Sequence, residues 1–189
     1  HCADFLKDQI IQTEFNESYV TIQPLGTILQ IMPWNFPFWQ VFRFSVPTLI
    51  SGNVTLLKHA PNVMGCVALI QDIFDQAGFP SGVFQNISVQ IDDIEKIMQQ
   101  PPVQGVALTG SLRAGSAVGK IAGKHIKNCV LELGGADPFI VLEDALLEDA
   151  AKCAVQSRMH NSGQTCISAK RFIVIESVAD KFKALVIDQ

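Results

Sequence analysis

Three side chains of this 189-residue sequence have the types needed for one reaction centre: a thiol, a carboxylate and an amide. The thiol is that of Cys166, which ends the small-residue turn Gly163-Gln164-Thr165-Cys166. A glycine in such a turn lets the backbone approach a reacting atom closely, and an activated thiol is a nucleophile. Free cysteine is also often buried as a small hydrophobe, so Cys166 alone leaves a structural role open.

Glu132 and Asn35 provide the carboxylate and the amide. Glu132 lies near the end of the apolar run 129–133, where burial would favour its protonated form and suit it to act as a general base. An outward-facing residue of an alternating strand is the other interpretation. Asn35 is bracketed by Pro33 and Pro37, which stiffen the backbone, so its amide is suited to donate to an oxyanion. An asparagine that closes a turn is the alternative.

Two further stretches have features of a nucleotide site. Thr109-Gly110-Ser111 closes a predicted strand and opens a predicted helix that contains Gly115, and a helix N-terminus attracts a pyrophosphate. Lys58 ends another predicted strand, at the edge where open α/β sheets bind ligands. A capped helix and a solvated strand end are the alternatives. His59-Ala60-Pro61 follows Lys58 in place of a carboxylate, which is compatible with NADP as well as NAD.

The elements that position these residues alternate between short β-rich runs and amphipathic stretches, a pattern typical of βαβ units around a parallel sheet. Strands are predicted over 27–32, 54–58, 83–87, 103–109 and 129–133, and later over 139–142 and 171–176. One predicted helix buries Val63, Val67, Ile70, Phe74 and Ala77, with Asn62 as its N-cap and Gly78 after its end. A second predicted helix begins at Ser111, whose side chain caps its first turn. A third spans 38–50 and is interrupted at Pro47. Two more are predicted in the later part of the chain, one over 146–159 and one that opens at Val178.

The predicted fold class is α/β: a Rossmann-like parallel sheet with helices on both faces, followed by the incomplete start of a second α/β catalytic domain. Residues 1–24 are expected to form a linker and oligomerisation strand, in which Tyr19–Ile22 pairs outside the chain. Residues 25–133 are the predicted dinucleotide-binding domain, and 134–189 the N-terminal part of a truncated catalytic domain. Because the chain opens at His1 and stops at Gln189 inside a predicted helix, we expect an internal fragment of a longer protein.

Composition narrows the classes of function. With 48% hydrophobic and 17% charged residues the chain can fill a core, and no apolar run approaches the ~20 residues that span a bilayer. The net charge of −4 and the scattered basic residues argue against nucleic acid as a partner. Five widely spaced cysteines without C-x-x-C argue against a disulfide framework and a metal site. A soluble, cytoplasmic protein without nucleic-acid, membrane or metal partners is expected.

Five motifs occur in the order and approximate spacing found in the NAD(P)-dependent aldehyde dehydrogenase superfamily, and the chain most resembles its bacterial succinate-semialdehyde dehydrogenases. The motifs are Pro33-Trp34-Asn35-Phe36-Pro37, Lys58, Thr109-Gly110-Ser111 with Gly115, Leu131-Glu132-Leu133-Gly134-Gly135 and Gly163-Gln164-Thr165-Cys166. The resemblance covers 17–189, which corresponds to the middle portion of a family member.

The resemblance implies a role for each motif. Cys166 would attack the aldehyde to give a thiohemiacetal, Asn35 would stabilise the oxyanion, and Glu132 would activate water for thioester hydrolysis. The residues implied to bind NAD or NADP are Lys58, Gly110, Ser111, Gly115 and Trp34. The fragment alone is expected to be inactive, and the full-length parent is expected to be a homo-oligomer.

Arg43 bears on the substrate. It aligns with an arginine that binds the substrate carboxylate in succinate-semialdehyde dehydrogenases, and a guanidinium can grip a carboxylate with two parallel hydrogen bonds. A surface arginine that covers apolar area is the alternative. His160 takes the place of a second substrate-binding arginine of some members. The resemblance therefore implies an aldehyde with a carboxylate tail, succinate semialdehyde.

Other functions also fit parts of the pattern. The chain could be a dinucleotide-binding or assembly module without chemistry, or a cysteine hydrolase that pairs Cys166 with His160 or His125. An acylating dehydrogenase would pass the thioester to coenzyme A instead of water.

Overall fold

The structure is a computed structural model that describes residues 2–189, with side chains from residue 4 onward. Position 1, where the predicted segment 1–24 begins, lies outside the described residues. The contacts divide the chain into two compact units, one that ends at Glu132 and one that spans Leu133–Gln189. Within the described residues, no helix has the length and apolar character required to cross a membrane.

The first unit opens with a small hairpin. After a 3₁₀ helix over Cys2–Leu6, strand β1 (Gln9–Ile10) pairs antiparallel with strand β2 (Tyr19–Val20). The second of these strands thus has one partner within the chain, and its pairing outside the chain stays a prediction. The intervening segment folds back because the amide of Ile11 donates to the carbonyl of Ser18 at 2.8 Å. None of residues 4–24 is buried, so this segment has no core of its own.

A five-stranded sheet forms the centre of the first unit, in the order β5-β4-β3-β6-β7. Its strands are β3 (Thr27–Met32), β4 (Val54–His59), β5 (Phe84–Asn86), β6 (Val103–Gly110) and β7 (Asn128–Leu133). Strand β3 pairs in parallel with both β4 and β6, and β4 pairs in parallel with β5. The predicted strand bounds are correct to within one residue at each end, and the predicted Rossmann-like α/β class is confirmed.

The order of the strands creates a switch point. The chain moves outward from β3 through β4 to β5, then returns to the other side of β3 to form β6 and β7. The connections therefore leave β3 and β6 in opposite directions across the sheet. Open α/β sheets bind ligands in the crevice at the carboxyl ends of such strands. Met32 and Gly110 end these two strands, so the sequences that follow them are placed at the ligand-binding edge.

Four α-helices pack on this sheet: α1 (Trp39–Ile50), α2 (Met64–Gln76), α3 (Ile94–Met98) and α4 (Leu112–Lys124). Val67, Ile70 and Phe74 of the stripe predicted for α2 face the core, where Phe74 stacks on Phe84 with ring centroids 4.4 Å apart. Val63 lies before the helix and Ala77 is exposed after it, so these two ends of the predicted stripe are wrong. The predicted Asn62 cap is wrong. Pro61 instead opens a short 3₁₀ helix (Pro61–Val63), so α2 begins at Met64, one residue after the predicted first position. Gly78 follows the helix in the left-handed region, as predicted.

Helix α1 contains Pro47 without a break, which corrects the predicted interruption. A proline inside a helix removes one backbone hydrogen bond and costs about 3 kcal/mol in isolation. The helix continues beyond it because the buried residues Val41, Ser45 and Leu49 hold its inner face against the sheet. Tertiary packing thus outweighs a local preference, and Gly52, with φ of +84°, follows the end of α1.

The second unit has two parallel strands, β8 (Pro138–Val141) and β9 (Arg171–Val174), with helices α5 (Leu147–Met159) and α6 (Glu176–Ile187). Its α/β character agrees with the prediction, although the last helix begins two residues before Val178. The small residues Ala151 and Ala154 of α5 are buried with Val141 and Phe182 in its core. Small side chains on this face of α5 allow the helices to approach closely.

Candidate active site

Arg43 is held in place by the helix that carries it. Gln30 is buried on β3, where its amide donates to the carbonyl of Val41 at 3.1 Å and its side-chain oxygen accepts from Ser45 Oγ at 2.5 Å. These two bonds lie on either side of Arg43 in sequence and tie α1 to the central strand. The backbone of Arg43 is therefore fixed, while its side chain remains 45% exposed.

Arg43 and Glu132 are brought together in the first unit. The Nη2 of Arg43 donates to Oε1 of Glu132 at 3.0 Å. Both side chains line a cavity of about 250 Å³ at the switch point, whose wall also includes Met32, Gln40, Thr109 and Val130. The residue predicted to bind a substrate carboxylate is thus bonded to the residue predicted to act as a base.

Glu132 is not buried, which corrects the expectation drawn from its apolar neighbours. Its side chain is 54% exposed, because β7 lies at the edge of the sheet and all its residues except Leu133 are exposed. The alternation considered for this strand is found instead, since Val130 and Glu132 face the same cavity. The carboxylate is accessible to water, as a base that activates water requires.

The loop between β3 and α1 carries Trp34 and Asn35, and a buried histidine holds it. His59 ends β4, is 3% exposed, and places its Nε2 3.0 Å from the carbonyl oxygen of Pro37. Its Nδ1 lies 2.8 Å from the amide nitrogen of Ala60 and 3.1 Å from the carbonyl oxygen of Met32. Both ring nitrogens of His59 therefore have backbone partners. His59 thereby fastens this loop to the strand that carries Lys58.

The predicted nucleotide residues lie at the carboxyl ends of β4 and β6. Lys58 is half-buried, with its ammonium 3.5 Å from the carbonyl of His59. Ser111 is the N-cap of α4, as predicted, and its hydroxyl accepts from the amide of Ala114 at 3.2 Å. Gly110 precedes this cap, and Gly115 is buried on the helix.

The start of α4 fits an anionic group. The first helical hydrogen bond runs from the amide of Gly115 to the carbonyl of Ser111 at 2.9 Å, so the amides of Leu112 and Arg113 precede it. The first turn contains Arg113 and no acidic residue. Amides without a helical acceptor, at the positive end of a 13-residue helix, form a suitable seat for a pyrophosphate.

Cys166 lies in the second unit, on a turn with unusual backbone geometry. The described free thiols are those of Cys66, Cys129, Cys153 and Cys166, and the last is exposed. Asn161, Ser162 and Gly163 precede it with φ of 50°, 57° and 77°. Left-handed backbone in residues other than glycine costs about 1–3 kcal/mol and is concentrated at functional sites. The left-handed backbone of Asn161 and Ser162 therefore indicates a functional turn, independently of the sequence motif.

Arg158, at the end of α5, holds this turn from within. Its Nη1 donates to the carbonyl of Gly163 at 3.2 Å and to Ser168 Oγ at 3.3 Å. The hydroxyl of the buried Ser168 donates in turn to the carbonyl of Thr165 at 3.1 Å. Residues on both sides of Cys166 are thus fixed by one guanidinium. His160, the other predicted substrate residue, is exposed in the 3₁₀ helix His160–Gly163.

Replacing Gly163 with alanine is expected to lower the free energy of unfolding by about 1–3 kcal/mol. A Cβ at this position would lie 2.9 Å from Nη1 of Arg158 and 3.1 Å from its carbonyl oxygen, in a left-handed conformation. Denaturant titration of the variant measures the loss. Gly65→Ala in α2 is the matched control, because nothing lies within 4 Å of its added methyl group. Equal stability of the two variants would contradict the close packing of Arg158 against Gly163.

The sequence analysis missed His59 and Arg158, although a signal for each existed. In β4 the buried positions alternate through Thr55, Leu57 and His59, so a polar ring on the inner face could have been noticed. In α5, Ala154 follows the buried Ala151 by three positions, and Arg158 follows Ala154 by four. This spacing places Arg158 near the buried face of the helix.

His125, considered for a cysteine hydrolase, lies in the first unit, where its Nε2 is 3.2 Å from Oε1 of Glu95. The same oxygen accepts from Lys124 at 2.6 Å. Hydrogen bonds from these two residues hold the pKa of Glu95 below its usual value. His125 thus has a structural role, because its bond to Glu95 joins the C-terminal end of α4 to α3.

Comparison with known proteins agrees with this arrangement. The chain matches the aldehyde dehydrogenase family over residues 1–189. It is 52% identical over 179 residues to a probable succinate-semialdehyde dehydrogenase [NADP(+)] of Synechocystis, covering 95% of this chain and 39% of that protein. It is 50% identical over 182 residues to the succinate semialdehyde dehydrogenase [NAD(P)+] Sad of Escherichia coli, covering 96% of this chain and 39% of that one.

A solved structure is similar over nearly the whole chain. The succinic semialdehyde dehydrogenase of Streptococcus pyogenes, in complex with NADP+, is 37% identical with a TM-score of 0.95, covering 99% of this chain and 41% of that chain. The chain thus spans about two fifths of the length of the relatives it matches. The family predicted from the five motifs is confirmed, and the chain belongs to the aldehyde dehydrogenase family.

Proposed function

We propose that the protein oxidises an aldehyde with a carboxylate tail, succinate semialdehyde, to the corresponding acid with NAD+ or NADP+. The observation that carries this proposal is Arg43, a cation on a fixed helix at the wall of a switch-point cavity that also contains the carboxylate of Glu132. A guanidinium suits a carboxylate tail, and Glu132 suits the activation of water. The names of the relatives above point to the same substrate.

The residues at the carboxyl edge of the sheet fit a dinucleotide. The amides of Leu112 and Arg113 would hold the pyrophosphate, and Lys58 would bind the adenine ribose. The three residues that follow Lys58 are His59, Ala60 and Pro61. None of them is a carboxylate that would repel a 2′-phosphate, which supports NADP+ as well as NAD+. When bound, the nicotinamide accepts a hydride from the carbon that has been attacked by sulfur.

Cys166 would act first. Its thiolate Sγ adds to the aldehyde carbon, and the carbonyl oxygen becomes an oxyanion that accepts a hydrogen bond from the amide of Asn35. His59 keeps the loop that carries Asn35 in position. Arg158 and Ser168 keep the backbone around Cys166 in position. These bonds pre-organise the donor and the nucleophile within their own units.

Glu132 would complete the reaction. Once hydride has left, the substrate carbon is a thioester of Cys166. Glu132 takes a proton from a water molecule while the water oxygen adds to the thioester carbon. The carbon–sulfur bond then breaks, Cys166 leaves as a thiolate, and the carboxylic acid is released. Glu132 is exposed on the edge strand, so water has access to its carboxylate.

The substrate is tested with the full-length protein that contains this chain, on a panel of aldehydes with NAD+ and with NADP+. We expect the highest kcat/KM for succinate semialdehyde. Arg43→Ala is expected to lower this value by about 10- to 100-fold, because it removes a charged hydrogen-bond donor from the tail. Turnover of butanal, which has no tail, is expected not to fall. Reduction of the nucleotide, followed by absorbance, measures both.

One result would contradict the proposed substrate, and another would contradict the expected inactivity of the fragment. An equal loss on both aldehydes would show that Arg43 does not recognise the tail. Steady turnover by the 189-residue chain alone would contradict the expectation that the fragment is inactive. Lys120→Met, which removes an exposed cation from α4, is the control and is expected to leave both rates unchanged.

A further inference from the structure

We propose that a substrate carboxylate and Glu132 compete for Arg43, so that the tail of the correct substrate releases the base. This inference rests on the proposed function and adds a specificity step to it. The observation is the bond of 3.0 Å between Arg43 Nη2 and Glu132 Oε1 on the wall of one cavity. Neither residue can perform its proposed task fully while it is bonded to the other.

The pair has the properties of a contact that a ligand can open. Its side chains are 45% and 54% exposed, and exposed ion pairs favour the closed state by at most about five-fold. The contact joins one guanidinium nitrogen of Arg43 to one carboxylate oxygen of Glu132. A free carboxylate can approach the planar guanidinium with two parallel hydrogen bonds, a stronger arrangement than a single bond. A tail can therefore displace Glu132.

The parts that would move are side chains. The helix on either side of Arg43 is tied to β3 by two buried bonds, in which Gln30 donates to the carbonyl of Val41 and accepts from the hydroxyl of Ser45. Glu132 is on the paired strand β7. The two backbones therefore stay in place when the pair opens, and the change is confined to rotamers. Such changes in exposed side chains occur in picoseconds to nanoseconds, so they do not limit turnover.

The consequence is selection at the hydrolysis step. When the tail occupies Arg43, the carboxylate of Glu132 is free to take a proton from water. When the acyl group has no tail, Arg43 holds Glu132 for part of the time, and the thioester of Cys166 is hydrolysed about two- to five-fold more slowly. An aldehyde of the right length without a carboxylate would thus be oxidised once and hydrolysed slowly. Discrimination would occur in hydrolysis as well as in binding.

The test measures thioester hydrolysis directly in the full-length protein, by quenching the acyl-enzyme and following its mass with time. With propanal as substrate, Arg43→Met is expected to raise the hydrolysis rate about two- to five-fold, because Glu132 is no longer held. The double variant with Glu132→Gln is expected to lose this gain. Lys120→Met, an exposed cation on the same unit, is expected to change nothing.

A second measurement requires no substitution. Acetate added to the wild-type enzyme with propanal supplies the missing carboxylate as a separate molecule. We expect it to raise the hydrolysis rate within the same range, compared with sodium chloride at equal ionic strength, and to have no effect in Arg43→Met.

The outcomes separate this inference from the function on which it rests. An unchanged or slower hydrolysis in Arg43→Met, together with no effect of acetate, overturns the competition. The proposed function still stands in that case if Arg43→Met weakens the use of succinate semialdehyde. An unaltered kcat/KM for succinate semialdehyde in Arg43→Met overturns the assigned substrate class instead. A gain that survives in the double variant shows that Glu132 is not the group released.

Discussion

Replacing Cys166 with alanine is expected to abolish aldehyde oxidation by the full-length protein, with a loss in kcat of about 10³-fold or more. Without the sulfur no thiohemiacetal forms, and hydride cannot leave the substrate carbon. Pre-steady-state absorbance provides the measurement: wild type should show a burst of reduced nucleotide, and Cys166→Ala should show none. The expected effect is large because the substitution removes a covalent intermediate rather than a binding contact.

Other thiols of the chain provide the controls. Cys153 is exposed on α5 in the same unit, and Cys153→Ala is expected to retain the burst. Cys129 is a poor alternative nucleophile, because partial desolvation on the exposed edge strand raises the pKa of its thiol and reduces the thiolate fraction. If Cys166→Ala keeps its turnover within about ten-fold of wild type, the assignment of the nucleophile is wrong.

Replacing Glu132 with glutamine is expected to separate oxidation from hydrolysis. Hydride transfer does not require the base, so the burst should persist, whereas hydrolysis should slow by about 10²- to 10⁴-fold. Mass spectrometry of the quenched protein should then detect an acyl group on Cys166. Glutamine preserves the shape of the side chain and removes its ability to accept a proton, so the effect reports chemistry rather than packing.

The same variant distinguishes hydrolysis of the thioester from its transfer to coenzyme A by an acylating dehydrogenase. Glu17→Gln, in the exposed N-terminal segment, is the matched control and is expected to leave hydrolysis unchanged. A Glu132→Gln enzyme that turns over normally, with a wild type that requires coenzyme A, would show that the thioester is transferred and not hydrolysed. That result would remove the role of Glu132 and retain the role of Cys166.

The strands of the sheet were predictable because β-rich runs such as 27–32 and 103–109 are short, apolar and bounded by turn residues, as buried parallel strands are. The helix stripe of Val67, Ile70 and Phe74 was predictable from its spacing alone. Pro47 was misread because propensity is a local property, whereas α1 is held by contacts with β3 that are distant in sequence.

The position of Glu132 was harder to predict. A run such as 129–133 has the same composition in the middle of a sheet and at its edge, and the order of the strands decides between them. Its bond to Arg43 joins residues 89 positions apart and has no local signature. The motifs thus indicated which residues belong to the site, while the contact between them required the fold.

The turn before Cys166 has a consequence for how this protein can vary. Asn161 and Ser162 are held in a conformation that side chains disfavour, and Arg158 secures the backbone after them. Glycine at either position would relieve this backbone strain and raise the thermal stability of the protein. The position of the Cys166 sulfur would then be less well defined, so selection for stability and selection for catalytic rate would favour different residues in this turn.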